Sequence, residues 1–102
     1  MTPAAEWAAK RCHITGKVQN VWYRAWTVEQ AQARGLKGWV CNLPDGSVEA
    51  LFAGSQAKVD DMIAACYQGP PAARVAAVVV SDFTGAVPDG FAQTGGSRQR
   101  GA

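Results

Sequence analysis

The stretch Lys37-Gly38-Trp39-Val40-Cys41-Asn42-Leu43-Pro44-Asp45-Gly46-Ser47-Val48-Glu49-Ala50-Leu51-Phe52-Ala53 reads as two strands, residues 37–42 and 47–53, joined by a tight turn. Pro44 and Asp45-Gly46 carry the turn, because Asp-Gly supplies the positive φ that hairpin connections need. Upstream, Tyr23–Arg34 reads as a helix closed by Gly35, with Tyr23, Thr27 and Ala31 one turn apart as its buried stripe. A candidate strand, residues 10–15, precedes it and stops at Gly16, leaving Lys17–Trp22 as a loop. Downstream, Ser55 caps a second helix in which Val59, Met62, Ile63 and Cys66 recur at helical spacing. Gly69-Pro70-Pro71 ends that helix. Residues 74–83 are rich in β-branched side chains and read as a buried strand, and a last short strand is expected near Phe91–Thr94.

The order is β-α-β-β-α-β with a short extra C-terminal strand. Right-handed crossovers turn it into an α+β, ferredoxin-like sandwich: an antiparallel sheet carrying two helices on one face. We expect one domain over residues 1–95 and a flexible polar C-terminal tail over residues 96–102. This architecture hosts many unrelated functions, so chemistry has to be sought in particular residues.

Composition narrows the field. The chain has 102 residues, 48% of them apolar and 18% charged, a globular balance. Its net charge of +2 demands neither a nucleic-acid nor a membrane partner, so an electropositive site here is a local one. Cys12, Cys41 and Cys66 are odd in number, form no CxxC pair and are joined by a single histidine, His13, which argues against zinc and suits a reducing compartment. The N-terminal stretch carries Glu6 and no long apolar run, so neither a signal peptide nor a membrane span is expected, and the expected location is cytoplasmic.

Residues 16–24, Gly16-Lys17-Val18-Gln19-Asn20-Val21-Trp22-Tyr23-Arg24, lie between a strand and the first turn of a helix. Unpaired N–H groups and the helix dipole favour an anion there, successive amides can form a concave nest, and Arg24 adds a charge-assisted fork. The stretch is not a nucleotide-binding P-loop, since it lacks the second glycine and the Lys-Ser/Thr pair.

That same stretch resembles the acylphosphatase signature G-x-V-Q-G-V-x-[FY]-R. Residues 38–49 are similar to the family's second signature, G-[FYW]-V-x-N-x-x-D-G-x-V-E, and Gly69-Pro70-Pro71 with Ala73-Arg74-Val75 resembles a third recurring stretch. The resemblance implies hydrolysis of small-molecule acyl phosphates to carboxylate and inorganic phosphate, with no metal, cofactor or covalent intermediate. It assigns phosphate binding to Arg24 and to the backbone amides of Val18, Gln19, Asn20, Val21, Trp22 and Tyr23. Asn42 is assigned the orientation of the attacking water. One departure stands out: Asn20 occupies the place of a signature glycine, and asparagine is the most tolerant replacement where φ is positive.

Other residues have plainer readings. Cys41 shares a strand face with Trp39, opposite Val40 and Asn42, and lacks a histidine partner for nucleophilic work. Cys12 and Cys66 read as core fillers and His13 as a structural residue. Trp22, Tyr23 and Trp26 read as packing and pocket-wall side chains. The alternative function is a non-catalytic ferredoxin-like phosphate- or RNA-binding module, but residues 47–53 lack the basic-aromatic signature of an RNA-recognition strand. Acylphosphatase-like domains also occur inside larger enzymes. A chain ending soon after the domain leads us to expect a free-standing monomer with no nucleic-acid or membrane partner.

Overall fold

The computed structural model describes residues 6–94. Five strands and two helices follow one another as β1 (Trp7–Lys17), α1 (Tyr23–Ala33), β2 (Lys37–Asn42), β3 (Val48–Ser55), α2 (Gln56–Cys66), β4 (Arg74–Asp82) and β5 (Phe91–Gln93). The sheet order is β4-β1-β3-β2-β5. β1 pairs antiparallel with β3 and β4, and β3 antiparallel with β2, as expected of a ferredoxin-like fold. β5 joins β2 in parallel, so the sheet is mixed rather than wholly antiparallel. The expected tail, residues 96–102, lies outside the described residues, as do both ends of the expected domain.

Alternation along the strands sorts side chains between two faces. Ala8, Cys12 and Ile14 of β1, Val40 of β2 and Val48, Ala50 and Phe52 of β3 join one core with Val59, Met62 and Cys66 of α2. On α1 the buried residues are Tyr23, Thr27 and Ala31, the stripe that the periodicity predicts. Each large side chain removed from water here contributes about 1.5–3 kcal/mol. On the other sheet face Cys41 and Leu51 are also fully buried, opposite Glu49 and Trp39 in the strand register.

Both helix ends are built as expected. The Ser55 side chain accepts from the Lys58 amide at 3.3 Å. At the end of α1, Gly35 has φ 69°, its amide donates to Gln32 O, and the Leu36 amide reaches Ala31 O, closing a Schellman motif.

Two strands differ from the sequence reading. β1 begins at Trp7 and runs through Gly16, because Gly16 forms a bulge in the β1–β4 ladder rather than a stop. Its φ of 118° and the β4 backbone, whose Arg74 carbonyl oxygen would clash with any Cβ there, require glycine. β4 is an edge strand, not a buried one. Only Val78 is buried, at 7% exposure, while its neighbour Val79 is 59% exposed.

Candidate active site

The loop between β1 and α1 is pinned from below and from the side. Val18 and Val21 are buried in the core, as is the Tyr23 ring, whose hydroxyl donates to Cys66 O at 2.6 Å. Burial pushes the Tyr23 hydroxyl pKa strongly upward, so Tyr23 offers the site no titrating group, only its amide. From the side, the Gln19 amide nitrogen donates to Leu43 O and Ser47 O, both at 2.9 Å. Gln19 thus ties the loop to the β2–β3 connection that begins at Asn42.

That connection has its own brace. Gly46 N donates to Leu43 O at 3.1 Å and Gly46 has φ 95°, a tight turn closed by glycine as the sequence predicts. The Ser47 hydroxyl and amide both donate to Asp45 Oδ1, at 2.5 and 2.9 Å, and these bonds hold the Asp45 carboxyl below its usual range. Because the Ser47 proton is used there, the His13 Nε2–H donates to Ser47 Oγ at 2.8 Å. His13 therefore serves the connection beside the site.

Between loop and strand lies a cleft of about 610 Å³ that brings together residues 18–25, Asn42, Ala72 and Gln93. Arg24, Asn42 and every loop residue singled out from sequence line it. Two loop residues are left-handed, Asn20 at φ 62° and Trp22 at φ 72°. Asn20 thus adopts the conformation that the signature glycine suggests. Trp22 is a bulky residue in a region that disfavours it by about 1–2 kcal/mol. Left-handed residues on both sides of Val21 suit a concave nest of successive amides.

The groups at this cleft are short of partners. α1 has no side-chain cap, and its first backbone bond is Trp26 N to Trp22 O at 3.0 Å. The amides of residues 20–25 donate to no acceptor among the described residues. The half-buried Arg24 makes no ion pair or hydrogen bond there either, and no carboxylate lines the cleft. Asn42 Oδ1 is the one buried side-chain polar atom without a partner among the described residues. A fork of cationic donors, an uncapped helix start and an unpartnered acceptor suit an oxyanion beside a hydrogen-bond donor such as water. No group of three or more His, Cys, Asp or Glu side chains among the described residues is placed to hold a metal ion.

The family model for Acylphosphatase matches residues 10–92. The chain belongs to the acylphosphatase family. It is 56% identical over 85 residues to an acylphosphatase of Rhizorhabdus wittichii, covering 83% of this chain and 86% of that one. It is 54% identical over 80 residues to one of Rhodospirillum rubrum, covering 78% and 88%. Among solved structures it resembles an acylphosphatase from Coxiella burnetii, with TM-score 0.83 at 27% identity over 86% of this chain and 93% of that one. As a member of this family the chain is a hydrolase of acyl phosphates, and the rival reading as a non-catalytic binding module falls away.

Sequence reasoning did not find Ala72 and Gln93, which the fold delivers from the loop before β4 and from β5. No local motif marks Gln93, and Ala72 is an unassigned position inside the third recurring stretch. Gln93 arrives through the parallel pairing of Val40 with Gln93, a contact between strands far apart in sequence.

Proposed function

We propose that Arg24 and the loop amides hold the phosphoryl group while Asn42 places the water that attacks it. The carrying observation is the meeting in one cleft of a guanidinium, an uncapped helix N-terminus and Asn42 Oδ1, with no carboxylate or other partner for them among the described residues. Phosphoryl transfer needs little covalent help from a protein. It needs the group held, charge on its equatorial oxygens neutralised and the nucleophile in line. Asn42 Oδ1 accepts a hydrogen bond from the water, whose oxygen attacks phosphorus. The phosphorus–oxygen bond to the acyl group breaks, the acyl group leaves as a carboxylate, and the water's proton passes to the phosphate product. A carboxylate is a good leaving group, so no acid is required to protonate it. Arg24 and the amides are fixed before reaction, which makes their hydrogen bonds effective in the transition state. On this reading the enzyme acts without metal or cofactor, as a cytoplasmic monomer. The modest net charge and the lack of a helix long and apolar enough to cross a membrane, among the described residues, support that setting.

Steady-state hydrolysis of benzoyl phosphate tests the roles. Arg24→Ala should lose about 10²–10³-fold in kcat/KM and Asn42→Ala a similar factor, chiefly in kcat. Unchanged rates in both variants would overturn the assignment, and activity abolished by a chelator would contradict the metal-free mechanism.

A further inference from the structure

Trp22 fits none of the structural roles that its neighbours play. Val18, Val21 and Tyr23 point into the core, whereas Trp22 is 66% exposed. It stands as the N-cap of α1 yet makes no side-chain cap bond, and its backbone is left-handed at φ 72°, ψ 19°. Strain at a bulky residue whose side chain gains neither burial nor a hydrogen bond among the described residues marks a place where that side chain is wanted for something outside the fold. Trp22 is nevertheless among the residues that line the cleft. It also occupies a position that the signature leaves open, so it is not part of the shared chemistry.

Sheet order sets the direction in which a substrate must lie. Asn42 ends β2, on one side of β1 and β3, and Gln93 sits with it through the β2–β5 pairing. Ala72 precedes β4, on the opposite flank of β1. In-line attack puts the leaving group opposite the water. With water at Asn42, the acyl group therefore projects toward Ala72 and passes the helix start where Trp22 and Ala25 stand. The two alanines leave room there, and among the described residues the only ionised side chain lining the cleft is Arg24.

We propose that Trp22 and Ala72 form the acyl subsite, selecting acyl phosphates whose acyl group is flat and apolar, aromatic ones above all, by stacking on the indole. This rests on the phosphate-site reading above. Aromatic stacking of this kind changes affinity by severalfold to about tenfold. The test is the ratio of kcat/KM for benzoyl phosphate to that for acetyl phosphate in wild type, Trp22→Asn and Trp22→Phe. Asparagine tolerates the left-handed backbone without the ring. We expect the ratio to fall about tenfold in Trp22→Asn, through KM for benzoyl phosphate, and to be largely restored in Trp22→Phe. An unaltered ratio in Trp22→Asn overturns the subsite while leaving the phosphate reading intact. A wild-type protein inactive on both substrates overturns the reading beneath it.

A second measurement needs no variant. Phenylphosphonate should compete with substrate about tenfold more tightly than methylphosphonate, and equal inhibition by the two overturns the subsite.

Discussion

Replacing Gln19 by alanine removes the bridge between the phosphate loop and the strand connection that carries Asn42. The side chain contributes two hydrogen bonds, to Leu43 O and Ser47 O. Both carbonyls keep a second donor, since Gly46 N reaches Leu43 O and Leu43 N reaches Ser47 O. No buried acceptor is orphaned, so the loss is the net worth of two bonds, about 2 kcal/mol. For a domain of this size that lowers Tm by roughly 8–15 °C. The kinetic effect should be larger than the stability effect suggests. The loop would keep its anchors in the core, Val18 and Val21, but lose its lateral register against Asn42, and a misplacement of about 1 Å costs on the order of 10²-fold in rate. Gln19→Glu preserves the shape but turns acceptor oxygens toward two carbonyls and adds negative charge beside the phosphate loop, so it should be worse than alanine in both respects. Thermal unfolding followed by circular dichroism and benzoyl phosphate hydrolysis well below Tm read the two effects separately. If Gln19→Ala lowers Tm yet keeps kcat/KM within about threefold of wild type, the bridge does not position the site and the reasoning fails.

Asn20→Gly should change turnover by no more than about threefold, because the backbone is already left-handed at φ 62°; a gain of several orders of magnitude would show that the asparagine side chain cripples the loop. Tyr23→Phe leaves the buried Cys66 carbonyl without its 2.6 Å partner and should lower stability by about 1–3 kcal/mol in urea unfolding. Burial pushes both the Cys12 and Cys66 thiols up to about 12 from 9.0. Iodoacetamide at pH 8 should therefore label neither in the folded protein and both in urea. Because their native pKa values are raised, the stability they contribute is complete below the unfolded value of 9.0 and is lost as pH climbs toward about 12, which alkaline unfolding curves will report.

What the sequence revealed and what it hid follow from the range of the forces involved. The hairpin turn, the Ser55 cap, the Gly35 closure and the α1 stripe are local, and each was legible from a few neighbouring residues. β1 was read too short because a glycine ends a strand in isolation, whereas here it forms a bulge that β4 presses against. The run Val78-Val79-Val80 looked buried by composition, yet its place at the sheet edge leaves Val79 in solvent. Within the site, Arg24 and Asn42 were visible only because two separated signatures agreed. The left-handed Asn20 follows from the signature glycine whose place it takes, a conformation that asparagine tolerates. Trp22 could not be foreseen in that conformation, since nothing about tryptophan favours it. Gln93 depends on a parallel pairing that no turn signal announces.

Every step above depends on phosphate being held by Arg24 and the helix-start amides, independently of Asn42. Titration of inorganic phosphate into the 15N-labelled protein tests this directly by amide chemical shifts. Shifts should concentrate on residues 20–25, persist in Asn42→Ala and vanish in Arg24→Ala. Binding that survives Arg24→Ala, or shifts that map away from the α1 start, would contradict it.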